Sequence, residues 1–286
     1  MPKLTPFYEN VQSHYDLSDE FFHLFLDPTH TYSCAYFARE DMTLEQAQLA
    51  KIDLSLGKLD LRPGMTLLDV GCGWGATMMR AIEEYDVNVI GLTLSRNQHE
   101  YVREQLSRMP ISRTAQVRLQ GWEDFDESVD RIVSIGAFEH FRRQRYDAFF
   151  ARAHDILPDD GRMLLHTIVG HSRELLDTMG VAVTRDDSLF LRFILREIFP
   201  GGQLPERDLV ITRAQRHGFW VQNIQSLQPH YARTLDCWAQ ALSARHGDAV
   251  RLSSEQVYQR YIRYLTGCAE NFRRRLIDVL QYTLIN

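Results

Sequence analysis

Cysteine is scarce in this chain, and long apolar runs are missing. Its 286 residues include four cysteines, Cys34, Cys72, Cys237 and Cys268, which lie far apart without a CxxC or Cys/His ligand spacing. That excludes a disulfide framework and a zinc site, and it indicates a reducing compartment. No stretch approaches the ~20 uninterrupted apolar residues that span a bilayer. The first residues, Met1-Pro2-Lys3-Leu4-Thr5-Pro6, lack the apolar run of a signal peptide, so a cytoplasmic location is expected. Positive charge is not in excess either. Lys+Arg 32 stand against Asp+Glu 38, a net charge of −6, which argues against a nucleic-acid partner. Internal repeats, low-complexity tracts and Ser/Gly linkers are absent as well.

What remains is ordinary globular composition, 44% hydrophobic and 24% charged. A chain of this length buries roughly 75% of its unfolded surface and needs no staples. The periodicity changes character three times. Residues 7–60 read as helices. Asp16 or Ser18 serves as N-cap ahead of Phe21, Phe22, Leu24 and Phe25, and Thr43-Leu44-Glu45-Gln46 resembles a capping box for a second helix that stops before Pro63-Gly64. From 65 to 169, apolar strands (66–70, 87–92, 115–120, 131–135 and 163–168) alternate with helical stretches at 75–85, 96–108 and 141–156. That alternation predicts an α/β fold, a doubly wound, mostly parallel sheet built from βαβ units. From 171 to 215 the pattern is helical again and meets the breaker Phe199-Pro200-Gly201-Gly202. Strands resume near 219–227, a long helix holds Val257, Tyr261, Tyr264, Leu265 and Cys268, and 279–285 reads as an edge strand. The expected organisation is one domain: a helical cap at 1–62, an α/β core at 63–170, a helical insertion at 171–217, and strands and helix completing the core at 218–286.

The strongest local signal is Leu67-Leu68-Asp69-Val70-Gly71-Cys72-Gly73-Trp74-Gly75, which follows one predicted strand and opens a predicted helix. Gly71 and Gly73 let the backbone turn tightly and approach a ligand at a helix N-terminus. The dinucleotide fingerprint needs GxGxxG. Glycines spaced two and two fit a cofactor without pyrophosphate better, although glycines also mark plain structural turns. The loop resembles motif I of class I S-adenosyl-L-methionine (SAM) methyltransferases. After the second strand most such enzymes carry an acidic residue for the ribose. Here the run is Thr93-Leu94-Ser95-Arg96-Asn97-Gln98, where Thr93 and Gln98 would serve as neutral partners. Trp122-Glu123 follows the third strand, where an aromatic flank and an acceptor would suit adenine; plain core packing of Trp122 is the competing reading.

Further segments extend the resemblance: Tyr32-Ser33-Cys34-Ala35-Tyr36-Phe37, Gly121-Trp122-Glu123, Gly136-Ala137-Phe138-Glu139-His140-Phe141, Ile198-Phe199-Pro200-Gly201-Gly202 and Leu265-Thr266-Gly267-Cys268-Ala269. Together with the glycine loop they resemble the cyclopropane fatty acid synthase family, in particular its mycolic acid cyclopropane synthase and methyltransferase branch. The resemblance covers nearly the whole chain. It implies a class I fold with a helical cap, and SAM contacts from Tyr32, Ser33, residues 67–75 and 93–98, Trp122 and Glu123. It further implies a bicarbonate or carbonate base held by Glu139, His166 and Tyr231 with backbone groups near Cys34 and Gly136. Cys268 matches the position of the family's active-site cysteine; nothing beside it in sequence suggests a depressed thiol pKa, and a cavity-lining role is expected.

The reaction so implied transfers a methyl group to a double bond of a long unsaturated acyl chain, leaving a carbocation that closes to a cyclopropane on losing a proton. Family members that capture the cation with water tend to carry a carboxylate where this chain has Gly136, so Gly136 leans toward the cyclopropane. Methyl-branched or hydroxylated products remain alternatives, as does a methyltransferase for a small polar substrate. Residue by residue, bland readings stay open: Glu139 and His140 as a helix-start pair, and His166 as a satisfied core histidine. Tyr15, Tyr32, Phe199 and Tyr264 are candidates for cation-facing rings in a greasy tunnel. The segment 189–199, with Arg192 and Arg196 on one side, would wall an acyl channel, pack as a core helix or touch a membrane surface transiently. By analogy the acyl chain rides on an acyl carrier protein. Arg142, Arg143, Arg145 and Arg273–Arg275 are candidates for its docking face, and a solvated charged face is the competing reading.

Overall fold

A computed structural model describes residues 4–6, 18–110 and 112–286. The expected N-cap Asp16 and the candidate ring Tyr15 lie outside the described residues. Helix α1 (Asp19–Phe22) is a single turn, and Ser18 precedes it without capping it through its side chain. Helix α2 (Leu44–Gly57) begins with the expected capping box, Thr43 accepting from the Gln46 N–H while the Gln46 side chain accepts from the Thr43 N–H. Such a box is worth about 1 kcal/mol to a helix start.

The alternating pattern then builds the sheet: β1 (Thr66–Val70), α3 (Ala76–Tyr85), β2 (Asn88–Thr93), α4 (Arg96–Arg108), β3 (Ala115–Leu119), β4 (Arg131–Ile135), α5 (Tyr146–Ile156) and β5 (Arg162–Gly170). These five strands are parallel. The strands β1 and β4 are buried along nearly their whole length, as expected of central parallel strands covered on both faces. The full order is β3-β2-β1-β4-β5-β7-β6. Strand order reverses between β1 and β4, and ligands of doubly wound sheets bind in the crevice beyond the carboxyl ends at that point. The fold is the class I methyltransferase arrangement, with two antiparallel strands closing one side.

Of the residues 7–60 expected to be helical, 24–42 are turns and irregular backbone. Three further expectations need correction. The last segment, β7 (Ile277–Ile285), is an interior strand, paired with β5 on one side and β6 (Trp220–Ser226) on the other. Being last in the chain says nothing about position in the sheet, and the continuous burial of Val279 to Leu284 is the signature of an interior strand. Helix α5 starts at Tyr146 rather than 141, because two short 3-10 turns, Phe138–His140 and Arg143–Arg145, come first. Arg142 between them has φ +64°, which an α-helix does not admit. The third correction is a helix that was not anticipated. After α6 (Arg173–Thr178), α7 (Arg185–Phe193), a π-helical turn at Ile194–Ile198 and α8 (Arg207–Arg216), β6 leads into α9 (Gln228–Ala244). Pro229 in its first turn marks the start, and Tyr231, Leu235, Trp238 and Leu242 form its buried stripe. Helices α10 (His246–Leu252) and α11 (Glu255–Arg273) follow.

The sheet carries a core on each face, and a third, aromatic core joins its β5–β7 end to the surrounding helices. There Phe21, Phe22 and Phe25 pack against Trp238 and Tyr261, so the beginning and the end of the chain share one cluster. Among the described residues, no helix is long and apolar enough to cross a membrane.

Candidate active site

Three cavities adjoin at the carboxyl ends of β1 and β4. The first is lined by Val70, Gly71, Gly73, Thr93, Leu94, Gln98, Trp122 and Glu123. The second is lined by Tyr32, Ser33, Asp69, Gly71, Cys72, Gly73, Trp74 and Gln98. The third is larger and mostly apolar; Tyr32, Ser33, Cys34, Glu139, His166, Tyr231, Tyr264 and Cys268 line it together with Phe190, Ile194, Leu195 and Phe199. Gly136 belongs to all three.

The glycine loop shapes the first two. The N–H groups of Gly71 and Cys72 bond the Leu92 carbonyl, drawing the loop over the end of β2. Gly71 has φ +81°, and a Cβ there would lie 2.4 Å from that of Ala137, so only glycine fits between the β1 and β4 loops. Thr93 Oγ1 donates to Gln98 Oε1 at 2.8 Å. That leaves the Gln98 amide nitrogen as the free donor at the place where relatives of this fold usually carry a carboxylate. Trp122 is buried against Phe141 and Phe149 and also lines the first cavity. Beside it Glu123 is held by Arg145 at 2.8 Å.

Not every residue of the expected cofactor set reaches a cavity. Leu67 and Leu68 are core side chains, and Gly75 is the left-handed cap of α3. Ser95 caps α4 by accepting from the Gln98 N–H, while Arg96 and Asn97 are exposed, Asn97 bonding Asp19. In a glycine-loop motif some positions touch a ligand and others make the turn; sequence adjacency does not separate them.

One residue at the second cavity gave no sign in the motif. Lys51 on α2 is buried, bonds Ser33 Oγ at 2.8 Å, and is pushed down to about 8 by desolvation. Asp69 is buried beside it with Oδ2 unpartnered, and burial pushes its carboxyl up to about 7 while Lys51 opposes the shift. A legible signal did exist: Gln48, Lys51, Ser55 and Lys58 recur at helical spacing, a polar stripe on a helix whose neighbouring positions are buried and apolar.

In the third cavity, Glu139 lies in the 3-10 turn after β4. Its Oε1 accepts from the Ile168 N–H at 2.6 Å, while its Oε2 is buried without a partner. Burial raises its pKa. His166, on β5, is held well below the usual histidine range by desolvation and is neutral. Tyr231 arrives from α9, its phenol pushed well above 10 by burial, so it is a donor and not a phenolate. Cys34 is fully buried, its thiol raised by desolvation, and that of Cys268 is pushed up to about 12. Neither is a thiolate nucleophile at neutral pH. Tyr32, Phe199 and Tyr264 line the same cavity, and the latter two rings meet edge to face at 5.5 Å. The segment 189–199 is divided: Phe190, Leu191, Ile194, Leu195 and Phe199 line the cavity, Ile198 packs into the aromatic core, and Arg192 and Arg196 face outward.

Comparison with known proteins places this geometry. Residues 2–282 match the family model described as mycolic acid cyclopropane synthetase. The chain is 62% identical over 281 residues to cyclopropane mycolic acid synthase 1 of Mycobacterium tuberculosis strain H37Rv, covering 98% of each chain. It superimposes on the structure of the cyclopropane synthase MmaA2 from Mycobacterium tuberculosis with a TM-score of 0.98 at 60% identity, covering 99% of both chains. On the mycolic acid cyclopropane synthase CmaA1 complexed with SAH and CTAB, the TM-score is 0.96 at 61% identity, again covering 99% of both. The chain therefore belongs to the mycolic acid cyclopropane synthetase family and is a SAM-dependent methyltransferase.

Proposed function

We propose that the protein adds a methylene group from SAM across a double bond of a long unsaturated acyl chain, forming a cyclopropane in mycolic acid or a related lipid. The observation that carries this is the position of Gly136, which among the described residues is the one that borders both clefts of the glycine loop and the large apolar cavity together. SAM lies across the two clefts: adenine against Trp122 and Glu123, ribose at Gln98 and Thr93, and the amino-acid end near Asp69, Tyr32 and Ser33. Its methyl group then faces the apolar cavity past Gly136. A mostly apolar lining suits an acyl chain and speaks against a small polar substrate. The long-chain detergent CTAB in the complex of the relative CmaA1 supports the same reading.

The family's bicarbonate base fits the residues present. Glu139 Oε2 is an orphaned buried oxygen, and burial raises the pKa of this carboxyl toward the protonated form that would donate a hydrogen bond to an anion. His166 and Tyr231 line the same wall as further neutral donors, with backbone near Cys34 and Gly136 closing the site. Bound SAM supplies an electrophilic methyl, and bound bicarbonate supplies a base for the proton lost when the ring closes. The chain's own part is to orient that base through Glu139, His166 and Tyr231, to exclude water from a cation, and to face it with the rings of Tyr32, Phe199 and Tyr264. Gly136 brings no carboxylate to direct water, which favours ring closure over a hydroxylated product.

An acyl carrier protein is the proposed carrier and the cytoplasm the proposed location, the latter supported by four free thiols. The test is the lipid of a host expressing the protein and fed methyl-labelled methionine. Acyl chains that gain one labelled methylene and lose olefinic protons are expected. A gain of methylene plus water overturns the product. Methylation of small polar acceptors by purified protein, with no labelled acyl chain, overturns the substrate.

A further inference from the structure

The polar stripe of α2 continues past Lys51 toward the other side of the acyl cavity. At its end, Lys58 Nζ donates to Gln281 Oε1 at 2.5 Å and to Gln225 Oε1 at 2.6 Å. Gln281 belongs to the interior strand β7, is fully buried, and sits opposite His166 in the β5–β7 register. Its Nε2 donates to Ser55 Oγ at 3.0 Å and faces His166 Nδ1 at 3.2 Å.

The orientation of this amide is determined twice over. An ammonium has only hydrogens to give, so the Gln281 atom facing Lys58 must be the oxygen. Ser55 spends its own hydrogen on the Lys51 carbonyl at 2.7 Å, so toward Gln281 it accepts, and the atom there must be nitrogen. The second hydrogen of that nitrogen points at His166 Nδ1, which has to accept it. A neutral imidazole whose Nδ1 accepts carries its proton on Nε2. His166 also lines the acyl cavity.

We infer that Lys58 and Gln281 are positioning residues: they hold His166 in the tautomer that places its N–H on Nε2, toward the acyl cavity. This rests on the reading of His166 as a hydrogen-bond donor to the bound base. It goes further, because it names what makes His166 a donor there. The other tautomer would turn a lone pair toward an anion. Neither Lys58 nor Gln281 lines any of the three cavities, so both act through His166.

The ring nitrogens of His166 report this directly in the full-length protein labelled with 15N-histidine, with the resonance assigned by its loss in His166→Asn. In the wild type Nδ1 is expected to be unprotonated and Nε2 protonated. Gln281→Glu puts an acceptor where the donor stood. The proton should move to Nδ1, and turnover should fall by about 10² with SAM affinity unchanged, the lower end of what a positioned proton-transfer group contributes. Lys58→Met, at a half-buried position, frees the amide to turn and should give a mixture of both tautomers with a smaller loss of turnover. A wild-type His166 protonated on Nδ1, or a tautomer unchanged in both variants, overturns the relay. The reading beneath it is tested separately: loss of turnover in His166→Asn together with an unchanged tautomer in Gln281→Glu would leave His166 functional and the relay refuted. A shifted tautomer with full turnover would refute the functional role of the relay.

Discussion

At the scale of single residues, burial decides protonation and protonation decides role. Glu139 is the clearest case, a carboxyl whose Oε1 is spent on a backbone N–H and whose other oxygen has no partner. Glu139→Ala should keep SAM affinity and lower turnover by about 10²–10⁴, the usual contribution of such a group. Calorimetric SAM titration beside single-turnover kinetics checks this, and unimpaired turnover would remove Glu139 from the site. His166 gives a pH signature. Its folded pKa lies well below 6.5, so in acid the unfolded chain binds a proton that the folded chain refuses. Its burial therefore costs stability progressively as pH falls below about 6.5, by up to ~2 kcal/mol at pH 5. Denaturant curves at pH 7 and 5 should show His166→Asn losing less stability over that interval than the wild type. Glu139 and His166 were legible through the family motifs; position alone was weaker, because Glu139 follows β4 in a 3-10 turn and His166 sits midway along β5, level with the last residue of β4. For Lys51 the sequence carried only the polar spacing of its helix; what makes it informative is burial beside Asp69, a contact between distant parts of the chain.

At the scale of elements, α2 and α11 show how a helix serves a site through one face. The stripe from Gln48 to Lys58 braces the Ser33 segment at one end and β7 at the other. Lys51→Met should raise the Kd for SAM by about 10- to 100-fold if Lys51 serves the carboxylate end, since a charged hydrogen bond is worth about 1.5–3 kcal/mol; isothermal titration decides it. On α11, a Cβ at Gly267 would come within 2.3 Å of the Phe190 ring, which lines the acyl cavity. Gly267→Ala should hold or gain helix stability, alanine being favoured by about 1 kcal/mol in a helix interior. It should also displace Phe190, raising KM for the acyl substrate while SAM binding stays constant. Steady-state kinetics with each substrate varied in turn separates the two effects. Apart from the start of α5, the elements of the α/β core were readable from periodicity within a residue or two. Helix α9 was missed although Tyr231, Leu235, Trp238 and Leu242 stand at helical spacing behind Pro229, because its outward positions are mixed and no family motif marks it.

For the whole molecule, the cofactor clefts draw on residues from 29 to 141 and the acyl cavity on residues from 32 to 277, so ligand binding should tie distant segments together. SAM at about 100 times its Kd should stabilise the fold by about 2.7 kcal/mol. That corresponds to a rise in Tm of several degrees for a chain of this size. NAD at the same concentration should produce no shift, since the glycine spacing and Gln98 do not make a dinucleotide site. Differential scanning calorimetry with each ligand checks both halves. What the sequence determined by itself was everything carried by local pattern: the alternation that makes a doubly wound sheet, the glycine loop after β1, and the family motifs that name the chemistry. Tertiary structure alone decided that β7 lies inside the sheet, that Gly136 borders all three cavities, and that Lys58 reaches His166 through Gln281. The physical reason is that those facts rest on burial and hydrogen-bond partners more than a hundred residues away, and neither leaves a period in the chain.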